Sequence, residues 1–212
     1  GLNMEQIKRE LELATLPEMP KRLDYRIGII GAGFIVRNCH LEAYRKAGFN
    51  PVAITSLDLE QSKEVAALHK IEKVYPDWKQ LVDDKDIEII DIAVPPHVQP
   101  DIVEYICKHA ADHIKGILCQ KPIAMSIKEA RRIVRLGDEA GIPIAVNSNM
   151  RYDQSMRAMK RILDKGLIGK PLSCRASISR DYGIYAEFLT HLAKKGAGIG
   201  FDMGGYYLTA LV

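Results

Sequence analysis

Short apolar runs alternate with longer amphipathic stretches between residues 25 and 147. The apolar runs are rich in β-branched residues and predict strands at 25–30, 51–55, 72–75, 87–94, 116–119 and 143–147. The stretches between them have helical spacing and predict helices at 34–47, 58–69, 77–82, 99–110 and 126–140. Because strands that alternate with helices are typical of βαβ units, we expect an α/β fold with a doubly wound parallel sheet that is covered by helices on both faces.

Different patterns lie on either side of this region. Residues 3–14 place apolar side chains at helical spacing and predict a short helix that packs on the main body. After Asn149 the pattern changes to an amphipathic helix near 153–165 and then to an alternating strand near 172–179. We therefore divide the chain into an N-terminal helical extension (1–23), a βαβ domain (24–147) and the start of a second domain (148–212).

Composition and charge exclude several classes of function. The 30 basic and 27 acidic residues are interspersed, which gives no basic block for nucleic acid. No apolar run reaches the roughly 18 to 20 residues of a membrane span, and the first residues do not resemble a signal peptide. The four cysteines form no CxxC pair and the histidines are dispersed, so we predict no metal site and a cytoplasmic protein.

A glycine turn joins the first predicted strand to the first predicted helix. Gly31 and Gly33 fill the first two positions of G-x-G-x-x-G, and Val36 fills the third, where glycine or alanine is usual. Gly31 permits the tight turn, and Gly33 lets the backbone approach a pyrophosphate at the helix N-terminus. The motif predicts a Rossmann dinucleotide-binding domain in which Phe34 and Ile35 also contact the cofactor. The alternative is a glycine turn that binds no nucleotide.

The end of the second predicted strand indicates which dinucleotide binds. An acidic side chain there accepts a hydrogen bond from the ribose 2′-hydroxyl and repels a 2′-phosphate. The neutral Ser56 occupies this position, whereas Asp58 fits the N-cap of the next helix. The sequence therefore favours NADP. No arginine is adjacent to bind a phosphate, so NAD stays the alternative.

Two further segments follow predicted strand ends, where open α/β sheets bind their ligands. They are VPPH at residues 94–97 and QKP at residues 120–122. Together with GAGFIVRNCH, NSNMRY and GAGIGFDMGGYY, in this order between about residues 25 and 210, they carry a resemblance. The chain resembles the glucose-fructose oxidoreductase, inositol dehydrogenase and rhizopine catabolism (Gfo/Idh/MocA) family.

The resemblance implies three catalytic residues. Lys121 matches the lysine of the family's Glu-Lys-Pro tripeptide, which lies beside the nicotinamide and the reacting hydroxyl, and Gln120 replaces the glutamate. An ammonium there stabilises the negative charge that develops on the substrate oxygen. Asp202 and Tyr206 match the Asp-x-Gly-x-His signature, with tyrosine in place of histidine. The resemblance implies that Tyr206 is an acid or base and that Asp202 orients it, and Tyr207 is the alternative if the register differs by one.

Further roles follow from the resemblance. The cofactor side is expected to include Pro95, Pro96, His97 and Gln120. The substrate side is expected to include Asn149, Arg151 and Tyr152, although Arg151 fits a surface arginine equally well. His40 is expected to be a structural packing residue, and the family reaction requires no metal.

The implied activity is transfer of a hydride between NADP or NAD and a secondary hydroxyl or ketone of a sugar, cyclitol or related polyol. In the family, a large antiparallel sheet follows the Asp-x-Gly helix and forms the substrate floor and the oligomer interface. We therefore expect residues 148–212 to begin an α+β substrate domain of a homo-oligomer with no nucleic-acid or membrane partner. Two alternatives remain: a non-catalytic NAD(P)-binding sensor or structural module, and a purely structural interaction domain.

Overall fold

Six strands form one parallel sheet in a computed structural model that describes residues 3–13 and 17–177. The strands are β1 (Arg26–Ile30), β2 (Asn50–Thr55), β3 (Lys73–Tyr75), β4 (Ile89–Ile92), β5 (Gly116–Cys119) and β6 (Ile144–Val146). Their order in the sheet is β3-β2-β1-β4-β5-β6, and every pair is parallel. This is the strand order of the doubly wound Rossmann fold, so the predicted α/β class is confirmed.

Helices connect the strands and flank the sheet. After α1 (Met4–Leu13), helical conformation begins at residue 34 and passes through a π-helical turn (Val36–His40) into α2 (Leu41–Ala47). The others are α3 (Leu59–His69), α4 (Trp78–Asp83), α5 (Gln99–His109), α6 (Ile127–Ala140) and α7 (Gln154–Asp164), with a 3-10 turn at Asn149–Tyr152. Within the described ranges, no helix is both long and apolar enough to cross a membrane.

The sheet is buried on both faces, as the apolar strands predicted. Successive side chains of a strand point to opposite faces, so neighbouring residues of β1 enter different apolar clusters. Ile29 packs in a cluster with Leu41 of α2, while Ile30 packs in a cluster with Ile102 of α5. All four side chains are at most 3% exposed. The core therefore fixes the strand ends and the loops that leave them.

Two compact units divide the chain, one of which is Pro20–Asn147. The other joins the residues up to Met19 to those from Ser148 onward, and within it α1 contacts α7. The Glu10 carboxylate accepts a hydrogen bond from Arg161 Nε at 2.8 Å. Residues 171–177 form no strand, so the prediction of a strand near 172–179 is wrong for this part, and 178 and 179 lie outside the described residues.

Candidate functional site

The carboxyl ends of the strands meet at one edge of the sheet. The Gly31 amide donates to the Thr55 carbonyl at 2.8 Å, and the Gln120 amide donates to the Ile92 carbonyl at 3.1 Å. Each bond extends the parallel ladder one residue past a strand end, so the loops after β1, β2, β4 and β5 start side by side. These loops, together with the first two helical residues after the β1 loop, carry the predicted cofactor residues Gly31, Gly33, Phe34, Ile35, Ser56, Pro95, Pro96, His97 and Gln120.

The two glycines of the turn have different physical roles. Gly31 has a φ of 125°, and a Cβ on it would lie 2.4 Å from the Ala93 carbonyl oxygen, so only glycine fits. Gly33 is exposed, and a Cβ on it would meet no atom of the described residues within 4 Å. The protein interior therefore does not require glycine at position 33. The open space in front of the first helical turn, whose amides have no intrahelical acceptors, fits a diphosphate.

A π-helical turn follows the glycine turn. Its first residue, Val36, is 1% exposed and packs in the same apolar cluster as Ile29, so the larger side chain at the third motif position is part of the core. The Leu41 amide donates to the Val36 carbonyl, which is the i to i+5 spacing of a π-helix. His69 Nε2 lies 2.7 Å from the Arg37 carbonyl oxygen and holds the turn from the α3 side.

A buried polar network lies behind this helix. His40 Nδ1 and the Tyr44 hydroxyl both bond Asp91 Oδ2, at 2.8 Å and 2.7 Å. Asn147 Nδ2 lies 3.1 Å from His40 Nε2. Burial lowers the pKa of His40, but the hydrogen bond and charge of Asp91 outweigh burial and raise the pKa above its usual value. His40 is buried, and its packing is polar as well as apolar.

Ser56 lies at the end of β2 with its hydroxyl already in contact with protein atoms. Its Oγ lies 2.7 Å from the Asp58 carbonyl oxygen and 2.6 Å from Ser62 Oγ. The Asp58 carboxylate accepts a hydrogen bond from the backbone amide of Gln61 at 3.1 Å, so the prediction that Asp58 caps the next helix is confirmed. The β2 end thus presents a neutral hydroxyl, while the carboxylate of Asp58, two residues later, caps α3.

The loop after β4 is a tight turn that leads into α5. The Val98 amide donates to the Pro95 carbonyl at 3.0 Å, and Pro96 and His97 occupy the two positions between them. His97 is exposed. Gln99 follows this turn directly as the first residue of α5, and its side chain is fully buried.

The loop after β5 carries Lys121, which is half-buried. The Lys121 amide donates to the side-chain oxygen of Gln120 at 3.0 Å, so this glutamine folds back on the loop. The Lys121–Pro122 peptide bond is cis. Gln99 bonds the backbone of the same loop on both sides of Lys121. Sequence reasoning missed Gln99, although it lies at i in an i, i+3, i+4, i+7 series of buried positions with Ile102, Val103 and Ile106.

The remaining predicted residues belong to the second unit or lie outside the description. Asn149, Arg151 and Tyr152 form the 3-10 turn, and all three are exposed. The Arg151 amide donates to the Ser148 carbonyl at 3.1 Å. Asp202, Tyr206 and Tyr207 lie outside the described residues. Among residues 3–13 and 17–177, no group of three or more His, Cys, Asp or Glu side chains could hold a metal ion.

Comparison with known proteins identifies the family. The sequence profile named GFO_IDH_MocA, described as an oxidoreductase family with an NAD-binding Rossmann fold, matches residues 25–148. This chain belongs to that family. The Gfo/Idh/MocA match covers the whole sheet, the glycine turn and the Gln120–Pro122 segment.

Relatives within the family include sugar and cyclitol dehydrogenases. The D-apiose dehydrogenase of Paraburkholderia graminis is 30% identical over 87% of this chain and 48% of its own length. An inositol 2-dehydrogenase/D-chiro-inositol 3-dehydrogenase of Lacticaseibacillus casei is 35% identical over 72% of this chain and 44% of its own. An oxidoreductase from Agrobacterium radiobacter, solved with NAD+, L-tartaric acid and magnesium, superimposes with a TM-score of 0.75 at 28% identity, over 88% of this chain and 53% of that one. The chain spans about half the length of the curated relatives that it matches.

Proposed function

We propose that the whole protein is an NAD(P)-dependent oxidoreductase that acts on a secondary hydroxyl, or the matching ketone, of a sugar, cyclitol or related polyol. The observation that carries this proposal is the open space at Gly33, at the sheet edge that also bears the Lys121 loop. Nothing in the described part of the chain requires glycine there, so the proposal is that a ligand approaches this backbone. Family membership and the names of the relatives support a nicotinamide dinucleotide as that ligand and a polyol as substrate.

The residues at the strand ends would hold the cofactor. The amides that follow Gly31 would bind the diphosphate, and the turn through Pro95, Pro96 and His97 would border the nicotinamide half. When bound, the nicotinamide accepts or donates the hydride. Lys121 would donate a hydrogen bond to the substrate oxygen and stabilise the negative charge that develops on it.

The substrate half of the site is proposed from the family resemblance. Tyr206 would move the proton and Asp202 would orient it, while Asn149, Arg151 and Tyr152 would contact substrate hydroxyls. Residues 148–212 would begin the substrate domain, residues 24–147 would form the cofactor domain, and residues 1–23 would be an N-terminal extension. We further propose a cytoplasmic location. We also propose a homo-oligomer, and light scattering of the whole protein tests this oligomeric state.

NADP is the proposed preference, with NAD as the alternative. The neutral Ser56 hydroxyl at the end of β2 supports NADP, because no carboxylate stands there to repel a 2′-phosphate. The Asp58 carboxylate caps α3 and faces the Gln61 amide, which also leaves the position neutral.

The deciding experiment titrates the whole protein with NADH and NADPH and then measures turnover on a polyol panel that includes D-apiose and inositols. Lys121→Met should keep the cofactor Kd but lose at least about 100-fold in kcat, because a charge-stabilising donor has been removed. Lys128→Met, at an exposed lysine of α6, is the matched control and should retain full activity.

Three other outcomes contradict parts of the proposal. Equal turnover in Lys121→Met and in the unmodified protein would show that Lys121 has no role in the reaction. Binding without turnover favours the non-catalytic sensor, which the presence of Gln120 in place of glutamate also favours. No binding of either dinucleotide leaves a structural interaction domain.

A further inference from the structure

One buried side chain bonds the loop that carries Lys121 at several points. Gln99 is 0% exposed. Its Nε2 lies 2.8 Å from the carbonyl oxygen of Gln120, and 3.1 Å and 3.2 Å from the carbonyl oxygens of Pro122 and Ile123. Its Oε1 accepts a hydrogen bond from the backbone amide of Gln120 at 2.8 Å. Four contacts from one amide group thus fix the backbone immediately before and after Lys121.

These contacts require a side chain that both donates and accepts, as the neutral carboxamide of Gln99 does. The loop offers three carbonyl oxygens and one amide, so its partner must donate and accept from a single buried group. A carboxylate cannot donate, and an aliphatic side chain can do neither. Because these loop groups face a fully buried side chain, loss of the carboxamide leaves polar atoms without partners where water does not replace it.

Gln99 is anchored in a rigid part of the fold. It is the first residue of α5, and Ile102, Val103 and Ile106 of this helix are each at most 1% exposed. The turn through Pro95 and Val98 ends directly before it. The same residue therefore links the loop after β4 to the loop after β5, the two segments expected beside the nicotinamide.

We propose that Gln99 is a positioning residue, which sets the place of Lys121 relative to the sheet edge through the backbone of residues 120–123. It acts only through this loop and touches neither substrate nor cofactor. The inference rests on the proposed function, in which the Lys121 ammonium binds the substrate oxygen. A displacement of about 1 Å at such a group is enough to slow a reaction about 100-fold.

The test compares Gln99→Met and Gln99→Glu with the unmodified whole protein. Gln99→Met has a similar length and removes every donor and acceptor. We expect kcat to fall about 10-fold to 100-fold, while the Kd of the dinucleotide changes less than about threefold. Gln80→Met, at an exposed glutamine of α4, is the matched control and should leave both constants unchanged.

Gln99→Glu gives a readout that a purely structural role would not produce. An ionised carboxylate repels the loop carbonyls, whereas a protonated carboxyl can donate one hydrogen bond and accept another. The ratio of variant to unmodified kcat should therefore rise at least about threefold as the pH is lowered toward 5.5, within the range where both proteins stay folded. This variant also carries the test if Gln99→Met does not fold.

Hydrogen exchange provides a second readout that needs no activity. In either Gln99 variant, exchange should accelerate in a peptide that covers residues 119–124, while thiol labelling of the buried Cys119 stays slow. A normal kcat, or a pH-independent ratio with unchanged exchange, overturns the positioning role. Failure of the proposed function is distinct, because it appears in the unmodified protein as absent binding or in Lys121→Met as full turnover.

Discussion

His40 Nδ1 lies 2.8 Å from Asp91 Oδ2, and the side chains are 7% and 1% exposed. The pair joins the helix that follows the glycine turn to the middle of β4. Tyr44 bonds the same carboxylate oxygen, whereas no hydrogen-bond partner of Asp91 Oδ1 lies among the described residues. A buried carboxylate with so few partners depends strongly on the charge of the histidine beside it.

The stabilising effect of His40 should depend on pH. Its pKa is raised in the fold, so its contribution is fully present below the unfolded value of about 6.5 and is lost as the pH rises through the folded value. We expect His40→Gln to lower the free energy of unfolding by about 2 kcal/mol near pH 6 and by less near pH 9. Urea unfolding across this pH range measures the difference.

Tyr44→Phe is the control for this prediction. It removes one hydrogen bond to the same carboxylate, but burial and the charge of Asp91 raise the pKa of Tyr44 well above its usual value, so Tyr44 does not ionise in this range. Tyr44→Phe should lower the free energy of unfolding by about 1 kcal/mol at every pH tested. If the loss in free energy of unfolding depends on pH in the same way for His40→Gln and Tyr44→Phe, the stabilising effect of His40 does not depend on its protonation.

Replacement by alanine should affect stability differently at the two glycines of the turn. Gly31→Ala places a Cβ 2.4 Å from the Ala93 carbonyl at a positive φ, so we expect a loss of at least about 2 kcal/mol in stability. Gly33→Ala should change stability by less than about 0.5 kcal/mol, because its Cβ meets no atom of residues 3–13 and 17–177 within 4 Å.

Dinucleotide affinity separates the two positions further. Gly33→Ala should weaken NAD(P)H binding about tenfold or more, since the new methyl group fills the space in front of the helix N-terminus. Calorimetric titration and thermal unfolding of the same sample measure both effects. A Gly33→Ala protein of normal affinity would show that the diphosphate does not approach this residue.

Ser56→Asp should reverse the proposed cofactor preference. A carboxylate at the end of β2 repels a 2′-phosphate and accepts from a 2′-hydroxyl, so the ratio of NADPH to NADH affinity should fall at least about tenfold. Ser62→Ala is the control, because it removes the 2.6 Å contact with Ser56 without adding charge and should keep the ratio. An unchanged ratio in Ser56→Asp means that Ser56 does not contact the ribose.

The alternating pattern was sufficient to predict the sheet, because each of the six strands lies within a run that the sequence separates from its neighbours by helical stretches. It could not predict the π-helical turn at Val36–His40, since one extra residue in a turn barely alters the spacing of apolar positions. It also predicted a strand near 172–179 that residues 172–177 do not form. Alternation marks a surface that can pair, but a strand also needs a neighbour to receive its hydrogen bonds.

The loop residues of the candidate site were predictable from their place after the strands, but their partners were not. Asp91 interrupts the apolar run of β4, which signals a buried charge that needs a partner. That partner, His40, is 51 residues away in sequence. Gln99 interrupts the apolar stripe of α5 in the same way. In both cases the sequence shows a polar residue among buried apolar positions, and only the fold shows which groups it bonds.

The pairing of α1 with α7 has a consequence for how the protein is made and handled. Glu10 and Arg161 are 151 residues apart, and the sheet-bearing residues lie between them in the chain. Because α1 is synthesised before α7, its partner becomes available only after the sheet-bearing residues have been made, and the sheet can assemble in that interval. We therefore expect a change in α1, for example at Glu10, to act on α7, the helix that α1 contacts.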